Sequence, residues 1–144
     1  LPQSPVGVLL ATADRLDSLT GLFAVGLAPT AAADPFALRR AALGTIQTLV
    51  TSEKDFDLRE GIEKAAELQP VDVSEETKAS VLDFLVKRME AWLTESLDSR
   101  IDVVRSVLAT RGWNPAGAVR AIKDIESVYD SAEFNTFLDG YGRA

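Results

Sequence analysis

The sequence contains neither cysteine nor histidine. Without cysteine there is no disulfide, no thiolate nucleophile and no thiolate metal ligand, a pattern that fits a reducing compartment. Without histidine the commonest general base and the commonest transition-metal ligand are lost together, so catalysis would fall to carboxylates, lysines, tyrosines and hydroxyls. No glycine-rich phosphate loop, serine nucleophile elbow or paired-cysteine spacing occurs. No apolar run approaches the ~20 residues of a membrane helix. The chain opens at Leu1 with neither the basic flank nor the apolar stretch of a secretory signal, and reads as an excised or processed piece of a longer polypeptide.

What is present suits a globular protein. The 144 residues are 47% hydrophobic and 26% charged, enough for one domain or for two small helical pieces sharing a core. The net charge of −7 opposes general attachment to nucleic acid, which requires lysines and arginines to neutralise phosphates. That charge is unevenly spread: residues 1–99 hold 9 basic and 16 acidic side chains, residues 100–144 hold 6 of each. Any RNA contact must therefore be local.

Apolar spacing and capping residues predict helices throughout. Leu9, Ala13, Leu16, Leu19 and Phe23 recur at three- and four-residue steps in a helix from Val6 to Val25, stopped at Gly26. Leu27 to Ala33 reads as an ordered loop. Asp34 followed by Pro35 predicts a second helix from Pro35 to Thr51, with Asp34 accepting free amides and Pro35 in the first helical position. A third covers Asp57 to Leu68, weakened by Gly61 and stopped before Pro70. Ser74 caps the longest, Glu75 to Glu95, with Val81, Leu82, Leu85, Met89, Trp92 and Leu93 as its seam. A fifth runs from Ile101 to Arg111 before Gly112, Asn114-Pro115 starts a sixth, and another begins near Ser131. The expected fold is an all-α multi-helix bundle, with a boundary between two helical units near Pro70.

Two ordered strings are distinctive: Ala13-Asp14-Arg15-Leu16-Asp17-Ser18-Leu19-Thr20-Gly21, then Ala28-Pro29-Thr30 leading into Asp34-Pro35-Phe36-Ala37-Leu38-Arg39-Arg40-Ala41-Ala42. Together they resemble the beta subunit of bacterial-type glycyl-tRNA synthetases, with A-D-K/R-L-D, a glycine, a proline-containing loop and D-P-F-x-L-R-R. The resemblance continues more weakly through Val81-Leu82-Asp83-Phe84-Leu85 with Arg88, and through Asp102-Val103-Val104 with Val107-Leu108-Ala109 and Arg111. It implies a piece of glycine–tRNA ligase that handles tRNA(Gly) and has no catalytic residue, cofactor or metal of its own. ATP and Mg would be held by an alpha subunit or alpha region carrying the class II active site. The resemblance further implies that residues 1–69 are the end of an HD-like helical domain and that 74–144 are a helical linker or the start of an anticodon-binding-like domain. The compartment implied is bacterial cytoplasm, plastid or mitochondrion. Many such subunits resemble Thr-Gly-Ser-Lys in the loop before the Asp-Pro pair. Here Thr30-Ala31-Ala32-Ala33 offers neither lysine nor glycine, which removes the basis for phosphate gripping by that loop.

Individual side chains admit two readings each. Asp14 looks like the last aspartate of the HD phosphohydrolase pattern, but the other ligands are absent, and the expectation is a structural acceptor pairing with an arginine. Asp14 and Asp17 lie one turn apart on one helix face without a nucleophile beside them. Arg39 and Arg40 point to different sides of their helix: either one grips RNA backbone through its planar fork, or one pairs with Asp14, Asp17 or Asp34 inside the fold and the other is solvated. Arg100, Arg105, Arg111, Arg120 and Lys123 are candidates for a C-terminal basic face. Trp113 could either stack on a base or plug the core. Asp55, Asp57, Glu60, Glu63 and Glu67 read as a solvated helix face. The alternative to a tRNA-recognition role is a non-catalytic helical protein-interaction module derived from the same subunit.

Overall fold

The three- and four-residue apolar steps become six α-helices, with no strand among the described residues, in the computed structural model, which describes residues 1–2, 4–129 and 131. Helix α1 is Pro5–Ala24, α2 Leu38–Thr51, α3 Leu58–Glu67, α4 Glu75–Ser96, α5 Ile101–Arg111 and α6 Pro115–Tyr129. The further helix expected from near Ser131 lies outside the described residues.

Local chemistry sets most of the ends. Ser4 Oγ accepts the Gly7 amide at 3.1 Å, and Pro5 occupies the first turn of α1, where no amide hydrogen is needed. At its other end Gly26 takes φ +77°, which glycine adopts without steric cost. The Leu27 amide then reaches Leu22 O at 2.9 Å and the Gly26 amide reaches Phe23 O at 3.1 Å, a paired closure of the last turn. Asp57 caps α3 through the Arg59 amide at 2.9 Å, Ser74 caps α4 through Thr77 at 3.2 Å, and Asn114 caps α6 through Gly117 at 3.1 Å.

Helix α2 departs from the expectation. Pro35 does not begin it: Asp34 to Ala37 form a turn closed by the Ala37 amide on Asp34 O at 3.1 Å, and Ala37 sits at φ 54°. The cap role of Asp34 survives across that turn. Its two carboxylate oxygens accept the Leu38 amide at 2.8 Å and the Arg39 amide at 3.0 Å.

Helix α1 packs between α2 and α3, and α4 lies across all three, with the α5–α6 pair against α4 and α2. The core is continuous through all six helices. Leu19, Ile46, Leu58, Leu85, Met89, Val104 and Ala118 are each completely buried in it, and Phe23 meets Phe84 at 5.4 Å between ring centroids. Residues 68–74 join α3 to α4 without interrupting this core. A backbone bond spans the two sequence halves: the Leu58 amide, first of α3, donates to Trp113 O at the α5–α6 corner at 2.9 Å.

Candidate nucleic-acid interface

The α1–α2 contact places a guanidinium against a helix backbone. Arg15 on α1 donates through Nη1 to Gly44 O at 3.2 Å and to Thr48 Oγ1 at 3.0 Å on α2. Gly44 permits this approach, since a Cβ there would lie 3.2 Å from the guanidinium carbon. On α2, Arg40, Gly44 and Gln47 follow at helical steps along one stripe. The result is a shallow concavity of about 360 Å³ whose walls include Arg15, Arg40, Gly44 and Gln47 and contain no carboxylate. Arg40 is exposed and forms no ion pair among the described residues, and Arg15 uses one of its nitrogens on α2 while the others remain available. Two guanidiniums and an amide around a carboxylate-free hollow form an anion-binding arrangement suited to phosphate oxygens.

Sequence reasoning singled out Arg40 but not Arg15. The Gly44-to-Arg15 packing that reveals it is a tertiary contact. Arg39 turns the other way: Nη1 stands 3.9 Å from Asp34 Oδ2, and Nη2 donates to Thr30 O, tying down the loop before α2. One of the two arginines is therefore a structural ion pair, as the sequence reading allowed. The Thr30–Ala33 loop closes on itself through reciprocal backbone bonds of 2.9 and 3.3 Å.

The C-terminal basic residues are dispersed and partly occupied. Arg105 pairs with Glu90 at 2.8 Å, and Arg120 pairs with Asp55 at 2.5 Å. Arg100 pairs with Asp102 at 3.0 Å and covers the Tyr129 ring at 4.5 Å. Arg111 and Lys123 are exposed and form no ion pair among the described residues. On α5, Arg105 and Arg111 are six residues apart, which turns them about 240° from one another around the helix. Trp113 is half-buried, donates its indole N–H to Thr110 O at 3.0 Å, and has the Arg59 guanidinium over its ring at 4.2 Å. One face of the indole is thus taken by protein.

Asp14 does not find the expected arginine. It is exposed, on the side of α1 towards α3, with no ion pair among the described residues; Asp17 beside it accepts only the Gln69 side-chain amide, at 2.7 Å, and a backbone-directed bond of the same nitrogen reaches its carbonyl. Among the described residues no three carboxylates converge as a metal-binding group. The acidic face is exposed to solvent apart from the half-buried Asp57, as expected, and most of its carboxylates also have partners. Asp55 binds Asn114 at 2.8 Å as well as Arg120, and Asn114 first, then Arg120, hold its carboxyl below the ordinary value of 3.8. The Arg59 side chain does the same for Asp57. Glu63 pairs with Lys78 at 2.8 Å and Glu67 with Lys64 at 2.9 Å, leaving Glu60 without an ion pair among the described residues. No helix of the described residues is long and apolar enough to cross a membrane.

The comparisons with known proteins agree with the motifs. A family model described as glycyl-tRNA synthetase beta subunit matches residues 1–109. The chain is 40% identical over 143 residues to the chloroplastic/mitochondrial glycine–tRNA ligase 2 of Arabidopsis thaliana, covering 99% of this chain and 13% of that protein. It is 40% identical over 137 residues to the glycine–tRNA ligase beta subunit of Haemophilus influenzae (strain PittGG), covering 92% of this chain and 20% of the relative. The Histophilus somni (strain 129Pt) beta subunit is 41% identical over 137 residues, with the same coverage of 92% and 20%. The chain therefore spans a fifth or less of the length of these relatives. With its two ordered motifs folded into adjoining helices and its family model covering most of its length, this chain belongs to the glycyl-tRNA synthetase beta subunit family.

Proposed function

We propose that this chain is a tRNA-handling and architectural part of a glycine–tRNA ligase beta subunit or beta region, attaching glycine to tRNA(Gly) only as part of the larger enzyme. The match of the family model over residues 1–109 carries this reading. An alpha subunit or alpha region would hold ATP, Mg and glycine, and this segment would contribute orientation. In that assignment residues 1–69 are the end of an HD-like helical domain and 74–144 lead into an anticodon-binding-like region, two inherited pieces sharing one core. Relatives of bacterial and of plastid or mitochondrial origin make those the compartments to test.

The Arg15–Arg40 hollow is the phosphate contact this reading favours, because its lining carries two cations and no competing carboxylate. The test is tRNA binding by the complete synthetase across a salt series. Arg40→Ala should weaken binding and lower the magnitude of the salt slope by about one unit, with melting temperature unchanged. Arg39→Ala should instead lower the melting temperature and leave the slope intact. Should both Arg40→Ala and Arg15→Ala preserve the dissociation constant and slope, phosphate contact by this segment is wrong and a scaffold role replaces it. The 144-residue chain by itself should show no glycine-dependent ATP–pyrophosphate exchange.

A further inference from the structure

The N-terminal half of α1, Pro5 to Ala13, contains no charged side chain. Part of it is buried against its neighbours, yet Leu9 and Leu10 are 60% and 70% exposed. Leu68 at the end of α3 is 80% exposed. These residues border a groove of about 760 Å³ between α1 and α3, floored by Leu16, Phe56 and Ala65. Contiguous apolar surface of this kind on a polar-rimmed groove marks an interaction site rather than scattered exposure.

The lips of the groove are acidic on both sides. Asp14 and Asp17 stand on the α1 lip and Glu60 on the α3 lip. Asp14 and Glu60 have no ion pair among the described residues, Glu60 feeling only the more distant charge of Arg59, and Asp17 binds only the neutral Gln69 amide, so all three carboxylates keep charge at the groove. The cation at this groove, Lys64, is already held by Glu67 at 2.9 Å. Asp55 and Asp57, also on the lining, are neutralised by Arg120 and Arg59.

An apolar floor between two unneutralised acidic lips selects its occupant. RNA phosphates would be repelled by the lips and would gain nothing from the floor. A second copy of this chain would bring a net charge of −7 against an equal charge, acidic lip against acidic lip. An amphipathic helix with an apolar stripe and lysines or arginines on both flanks satisfies floor and lips together. We infer that the α1–α3 groove is a docking site for a basic-flanked amphipathic helix of protein. This site is independent of the Arg15–Arg40 hollow and stands or falls separately from it.

The experiment uses the 144-residue chain and a synthetic helical peptide of about 18 residues, five turns, built from leucine on one face and lysine on its flanks. A second peptide carries glutamate in place of lysine. Binding is followed by calorimetry or anisotropy, with circular dichroism melts on every variant. The leucine–lysine peptide should bind and the leucine–glutamate peptide should not. Leu10→Ser, and the pair Asp14→Asn with Glu60→Gln, should each weaken binding by about tenfold with melting temperature unchanged, whereas Glu76→Gln on α4 should have no effect. Equal loss with Glu76→Gln, or no loss with the groove variants, means general attraction of a basic peptide to an acidic protein and overturns the site. Self-association abolished by Leu10→Ser would make the occupant a second copy. Binding of tRNA weakened by Leu10→Ser would make it RNA. Either result refutes the inference.

Discussion

On one flank of α1, Arg15 lies against Gly44 and Thr48 of α2; one residue earlier, Asp14 lies at the groove against α3. The α2 flank is a hollow without a carboxylate, and the α3 flank is a groove whose cation is neutralised. A turn of about 100° between successive residues is enough to separate the two chemistries. A chain with a net charge of −7 can thus keep a local cationic surface even within its acidic first two thirds, because along α1 the sign is sorted by helix face.

The largest effect should follow from removing what both flanks share. Leu19 is completely buried beneath them, and Leu19→Ala should cost about 2–5 kcal/mol through lost burial and a residual cavity. Denaturant unfolding measures it. Gly61→Ala strikes the α3 flank. A Cβ there would lie 2.7 Å from Phe56 Cε1 and 2.8 Å from Leu16 Cδ1. Overpacking of about 1–3 kcal/mol should outweigh a helix-propensity gain of up to about 1 kcal/mol, giving a net fall in stability. An increase in melting temperature would show that the two side chains yield.

Asp34→Ala strikes the α2 flank. Loss of the bonds to the Leu38 and Arg39 amides should cost about 0.5–2 kcal/mol, and an unchanged melting temperature would mean the turn holds α2 without them. The smallest effect expected is on acidification. Asp55, Asp57 and Asp102 all have carboxyls held below 3.8, by Asn114, Arg59 and Arg100 respectively as the largest cause. Depressed carboxylates contribute stability that is present above the unfolded value and is lost as pH falls through the folded value. Thermal melts should therefore decline below about pH 4, with a shallower decline in Asp57→Asn, which keeps a capping side chain.

How much of this was legible in the sequence depended on how local the cause was. Ser74, Asp57 and Asn114 act on amides two or three residues away, and the helices they start were found within a residue or so. Asp34 was correctly read as a cap, but its reach across a turn to Leu38 and Arg39, with Ala37 at φ 54°, hid the true start of α2. Gly61 looked like a weakness in α3; its reason is the proximity of Leu16, 45 positions earlier in the chain, which no local pattern discloses. The same limit applies to the site. Arg40 was singled out from its motif, whereas Arg15 needed the packing of α1 on Gly44 to be seen, and the expected arginine partner of Asp14 did not materialise because Arg39 pairs with Asp34 and Arg40 lines the hollow on the other flank of α1.

The hydrogen bond from the Leu58 amide to Trp113 O has a further consequence for how the molecule opens. Leu58 is completely buried, so parting α3 from the α5–α6 corner would break this bond, at a net cost of about 0.5–1.5 kcal/mol, on top of the exposed apolar surface. Partial detachment of the later helices is thereby penalised, and the two sequence halves are coupled into one unfolding unit. In amide hydrogen–deuterium exchange, the Leu58 proton should exchange as slowly as those at the centre of α4, through the same global event, although it belongs to the first turn of a short helix, where fraying would ordinarily make it among the quickest to exchange.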